Sequence, residues 1–149
     1  TVTLPSSTVL TLGTNNDVNG ASGTYVAYCF AEIEGYSKFG KYAGNGNVDG
    51  TFVYTGFKPA WVMVKITNSA DNWFIHDNKR DTFNTNAHLI YADLANAEYD
   101  ASSDADNSPH DFTSNGFKFR SSNANWNGSG NNYIYMAFAE APFKYANAR

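Results

Sequence analysis

Glutamine is absent from this chain of 149 residues, leucine occurs five times, proline four times and cysteine once. Helices draw on Leu, Ala, Glu, Lys and Gln, so the composition argues against a long helical bundle. The single cysteine, Cys29, leaves nothing for an internal disulfide, and stability has to come from burial. Cys29 lies in the apolar run Tyr25-Val26-Ala27-Tyr28-Cys29-Phe30-Ala31, and a small buried core residue is the reading that run suggests. No stretch approaches the ~18 apolar residues of a membrane helix, and no signal-peptide pattern is visible. Positive charge is also scarce. Ten Lys and Arg face 14 Asp and Glu, so the net charge is 10 − 14 = −4. That balance argues against nucleic acid and against an anionic membrane surface, both of which need a cationic face.

Asn, Gly, Ser and Thr supply 55 residues, and 16% of the chain is aromatic. Turn formers combined with β-favouring aromatics describe an all-β protein. Asn-Gly pairs at 19–20, 45–46, 115–116 and 127–128, with Asp49-Gly50, punctuate the chain with turns. Between them the spacing predicts strands over 8–12, 25–34, 38–43, 52–55, 60–67, 73–76, 116–120 and 132–139. The clearest is 60–67, where Val62, Val64 and Ile66 face one way and Trp61, Met63 and Lys65 the other. The expected architecture is a single antiparallel β-sandwich over 1–149, jelly-roll or lectin-like. One long irregular excursion interrupts it around 81–111, with room for a helical turn between Leu89 and Tyr99. Tyr25–Glu32 echoes Tyr133–Glu140, so both segments read as buried strands with similar neighbours, adjacent in one sheet. The first residue is Thr1, not Met, and the chain reads equally as a fragment, a processed chain or a module of a longer one.

Candidate chemistry is sparse. Glu32 and Glu34 share a face if their segment is a strand, and paired carboxylates of this kind serve some glycosidases. The run Glu32-Ile33-Glu34-Gly35-Tyr36 stops short of the Glu-x-Asp-x-Glu pattern, and the plain reading is a strand end entering solvent. His76, His88 and His110 are isolated, and spacing gives no reason to bring them together as zinc ligands. Asp100, Asp104, Asp106 and Asp111 offer oxygens to a calcium ion, but the loop lacks the Gly and Glu of an EF-hand. A solvated acidic loop without any cofactor is the plain reading there. No nucleophile elbow, Walker loop or dinucleotide fingerprint occurs. Asn127-Gly128-Ser129 fits the glycosylation pattern once, close to chance in an Asn-rich chain. Trp73 and Trp126 stand among amides, Trp126 between Asn125 and Asn127. An exposed ring flanked by amides is what a sugar platform requires; the alternative is an anchor fastening its own loop.

Several runs together resemble a known family. They are Thr24–Glu32, Gly35–Gly40, Tyr42–Gly46, Phe52-Val53-Tyr54-Thr55-Gly56-Phe57-Lys58-Pro59-Ala60-Trp61-Val62, Asp111–Lys118 and Tyr133–Glu140. The chain is similar, from Thr8 to Tyr145, to a β-rich domain near the C-terminus of tail-fibre and other virion proteins of tailed bacteriophages, many of them marine. In that family it often follows a concanavalin-like or laminin-G-like domain. The resemblance implies a non-enzymatic module on a virion surface, outside the host cell, in contact with other virion proteins and with host-surface glycan. Phage fibres are commonly homotrimers, so it also implies a homo-oligomer, a trimer foremost. It transfers no catalytic residue. The readings it leaves open are a structural or adhesive module, a carbohydrate-binding module built on Trp126, and a glycan hydrolase using Glu32 and Glu34.

Overall fold

The computed structural model describes residues 6–102 and 110–141. It is nearly all β, in two antiparallel sheets. In chain order the elements are α1 (Asn16–Asn19), β1 (Ser37–Ala43), β2 (Phe52–Tyr54), β3 (Pro59–Ile66), β4 (Phe74–Asp77), β5 (His88–Tyr91), β6 (Tyr99–Asp100), β7 (His110–Thr113), β8 (Gly116–Phe119) and β9 (Asn132–Ala139). The larger sheet runs β1-β9-β3-β4-β5-β6 and the smaller β2-β8-β7. This is the sandwich-like, all-β class that the composition implies.

The alternation expected of 60–67 is realised. Val62, Val64 and Ile66 are buried, opposite Ala137, Tyr135 and Tyr133 of β9. An irregular register between Pro59 and Trp61 resets the pairing at the start of the strand. Tyr42 of β1 stacks on Tyr133 at 4.9 Å and on Phe119 of β8 at 5.1 Å, which ties the two sheets together. Phe74, Leu89, Phe112 and Phe117 complete this interior. Gly116 stands where β2 and β8 pair, and a Cβ there would lie 2.1 Å from the Val53 carbonyl oxygen. The close approach of the smaller sheet's strands therefore requires glycine at that position.

The chain divides into two compact units, 1–30 and 31–149. In the first, residues 8–12 and 25–30 are not strands, against the sequence expectation. A β-propensity run becomes a strand only when its amides meet a partner, and no ladder reaches these residues. The regular element here is the single turn α1, capped by Asn15, whose Oδ1 accepts from Asp17 N at 2.7 Å. The Tyr25 hydroxyl accepts from Gly20 N at 2.8 Å, holding this unit's own turn. Cys29, expected in the core, is exposed because its run is not packed as a strand. The echo of β9 in 25–32 is thus a likeness of composition and not of structure. The strand beside β9 at the edge of the larger sheet is β1, at 37–43.

The described parts of the excursion, 81–102 and 110–111, are also more ordered than expected. In place of a helical turn, residues 88–91 and 99–100 form β5 and β6, and Leu89 enters the core. Asp81 explains the local order. Its Oδ2 accepts from Ala87 N at 2.8 Å and His88 N at 2.7 Å, fixing the entry into β5.

Candidate functional site

The Trp126 platform is corrected by burial. Trp126 is 2% exposed, packed edge-on against Phe74 at 5.3 Å, and its backbone carbonyl accepts from the Tyr42 hydroxyl at 2.8 Å. No ring face is available there to a sugar. The neighbouring amides are polar because they serve the backbone. Asn127 Nδ2 donates to Asn45 Oδ1, to the Asn47 carbonyl and to the Ser121 carbonyl at 2.8–2.9 Å. Its Oδ1 accepts from Asn45 N at 3.2 Å. The side chain so welds the loop after β1 to the loop before β9. Asn125 is half-buried and its N–H donates to Asn123 Oδ1 in a local turn. Trp73 is half-buried just ahead of β4, its N–H donating to Asp93 Oδ1 at 3.1 Å.

The acidic candidates do not converge. Asp104 and Asp106 lie outside the described residues. Asp100 Oδ1 lies 3.6 Å from His88 Nε2, whereas Asp111 Oδ2 accepts from Arg120 Nε at 2.6 Å. Among the described residues no three His, Cys, Asp or Glu side chains gather as metal ligands. Glu32 and Glu34 do not sit on a strand. They flank Ile33, which bridges to Ser37 around a turn where Gly35 takes a positive φ of 74°. The shared-face argument for a carboxylate pair therefore lapses, and Glu32 is ion-paired with Lys38. Both glutamates, with Lys38, Tyr54 and Phe57, line an open groove of about 510 Å³.

The histidines hold a surprise that spacing did not show. Topology places His76 of β4 and His110 of β7 ring to ring in the core, centroids 4.5 Å apart and nearly perpendicular. Both are fully buried, and their four ring nitrogens find no hydrogen-bond partner among the described residues. Burial holds His76 down to about 3 and pushes His110 well below the usual histidine range, the His76 ring acting in the same direction on His110. His88 is the opposite case. Its Nδ1 meets Asp81 Oδ1 at 2.7 Å, and that hydrogen bond raises its pKa.

A second groove, of about 400 Å³, opens between the loop after β4 and the ends of β3 and β9. Its wall carries Lys58, Asn78, Asp81, Phe83, Asn86 and Glu140. Glu140 Oε2 pairs with Lys58 Nζ at 2.7 Å, and its Oε1 accepts from Asn78 Nδ2 at 2.9 Å. Asn84 mimics a strand residue, exchanging hydrogen bonds with the Phe112 N–H and carbonyl at 2.9 Å. The loop is thereby pinned by Asn84 and Asp81, and Phe83 between them stands 84% exposed. The sequence criterion applied to Trp126, an aromatic among amides, is met at Asn78…Phe83-Asn84-Thr85-Asn86 as well.

Residues 1–142 match the family described as "Domain of unknown function (DUF7483)", and the chain belongs to that family. No curated protein and no solved structure matches it.

Proposed function

We propose that this chain is a non-catalytic β-sandwich module of a virion surface, set in a tail fibre, tip or capsid-decorating assembly, where it serves assembly and host-surface attachment. The reading is that of a homo-oligomer, a trimer foremost, located outside the host cell.

One observation carries it. Val26, Tyr28 and Phe30, alternate residues of one apolar run, are 79%, 84% and 57% exposed. Fully burying a side chain of this size stabilises by about 1.5–3 kcal/mol, so water is an unfavourable surrounding for three in a row. Contiguous exposed apolar surface marks interaction sites, and aromatics are enriched at the centres of interfaces. The likeness to phage virion domains supplies the setting, and the few charges and many aromatics suit a rigid module assembled by burial.

Light scattering on the purified chain tests this. A mass at a multiple of 16.3 kDa is expected, falling to one chain in a Val26→Ser, Tyr28→Ser, Phe30→Ser variant. A wild-type chain that stays at the single-chain mass up to its highest soluble concentration overturns the reading.

A further inference from the structure

The groove beside Phe83 has the makings of a ligand site that neither the assembly reading nor the family membership assigns. Its charges cancel only in sum: Lys58 and Lys79 stand against Asp81 and Glu140, with Lys58 paired to Glu140 and Asp81 engaged with His88 and two backbone N–H groups. A phosphate or a polyanion would require a surplus of cations, and an apolar peptide an apolar lining. What the groove offers is amides. Asn86 is 1% exposed and lines the groove, yet its Oδ1 has no hydrogen-bond partner among the described residues. Asn78 Oδ1, shielded in the same wall, likewise has none. A buried carbonyl oxygen without a donor is disfavoured, and a hydroxyl from a ligand supplies one. Phe83, fixed by the loop bonds of Asp81 and Asn84, presents an open ring at the rim.

We propose that the groove formed by Asn78, Phe83, Asn86 and the Lys58–Glu140 pair binds a neutral saccharide. The Phe83 ring takes the apolar C–H face of a sugar. The oxygens of Asn78 and Asn86 accept from its hydroxyls, and the balanced ion pair presents one donor and one acceptor without selecting for charge. A volume of about 400 Å³ lies at the small end of ligand pockets, which suits a short saccharide or a chain end. Asn78 follows β4 directly and Asn86 bridges to His110 of β7, so both residues stand on fixed backbone.

Native electrophoresis of the purified chain through gels containing dextran, mannan or galactan, with heparin as a polyanion, tests the site. Retardation by at least one of the three neutral polysaccharides is expected. Phe83→Ala should weaken it by about tenfold or more, as loss of an aromatic anchor does, and Asn78→Ala should weaken it too. Tyr54→Ala, on the other groove, should leave it unchanged. Phe83 is exposed, so its removal leaves the fold intact, and thermal melting verifies this. No retardation by any of the three, equal retardation of wild type and Phe83→Ala, or retardation by heparin alone overturns the proposal. The result is independent of the mass measured above: a monomer that binds dextran, mannan or galactan removes the assembly reading and keeps this one.

Discussion

Lowering the pH from 7 to 4.5 should destabilise the sandwich through its buried histidine pair. In the unfolded chain His76 protonates near 6.5, whereas in the folded chain burial holds it to about 3. The unfolded state thus binds the proton first as pH falls. Stability is complete above 6.5 and is lost progressively as pH drops toward 3, at about 1.4 kcal/mol per unit. Two units below 6.5, His76 alone accounts for roughly 3 kcal/mol, against a margin of about 5–15 kcal/mol for a domain. His110 shifts the same way and adds to the loss. Desolvation dominates; the nearby His88 backbone, Asp81 and Asp77 favour the His76 cation and Arg80 opposes it. His88 acts in the opposite sense. Its pKa is raised in the fold, so its contribution is present below the ordinary histidine value and fades as pH rises through the folded one.

Urea titrations at pH 7 and 4.5, followed by tryptophan fluorescence, isolate the effect. Trp126 lies edge-on to His76 at 6.1 Å and reports directly on this part of the core. His76→Leu removes the titrating group while keeping an apolar side chain in its place. The wild type should lose about 3 kcal/mol more than this variant between the two pH values. Equal losses in both would refute the argument, because the carboxylates and His88 are common to the two proteins.

Trp126→Ala should cost about 3–5 kcal/mol by thermal or chemical denaturation, as large-to-small changes in a packed core do. A cost under about 1 kcal/mol would mean the ring is not buried as described. Asn127→Ala leaves the Asn45 N–H and the Ser121 and Asn47 carbonyls without their partner, so a loss of about 2–3 kcal/mol is expected. Unchanged melting would refute the weld between the loops. Cys29 should react readily with a thiol reagent in dilute single chains and slowly in the assembled form, since it lies within the exposed apolar run. Identical rates across the concentration range that changes the mass would separate this run from the interface.

What was legible in the sequence follows from how local each signal is. The strand at 59–66 was readable because alternation of Val62, Val64 and Ile66 with Met63 and Lys65 is a property of the strand alone. Residues 25–32 show the limit. They match β9 in type almost position for position, yet β9 has β1 and β3 on its two edges and residues 25–30 have no ladder. Pairing is set by distant residues, and no local pattern encodes it. Segment 81–102 was misread for the converse reason. Its strands are only four and two residues long, too short to show a period, and their order comes from Asp81, which satisfies the backbone of residues six and seven positions on. The His76–His110 contact, likewise, is made by topology between residues 34 positions apart.

The site was half legible, and asparagine explains both halves. An aromatic among amides is a sound chemical criterion, but an amide is equally suited to a ligand and to the protein's own backbone. At Asn127 every arm is spent inside, on Asn45, Asn47 and Ser121, so the adjacent Trp126 is drawn into the core with it. Asn84 is spent in the same way on Phe112. Asn78 and Asn86 differ in one respect: each keeps a shielded oxygen without a donor. Sequence presents all four alike, and only the count of satisfied arms separates the structural pair from the pair able to receive a hydroxyl. Phe83 follows from that count. Its loop is held by Asn84 and Asp81 while the ring itself stays in solvent, beside the two amides whose oxygens lack a donor.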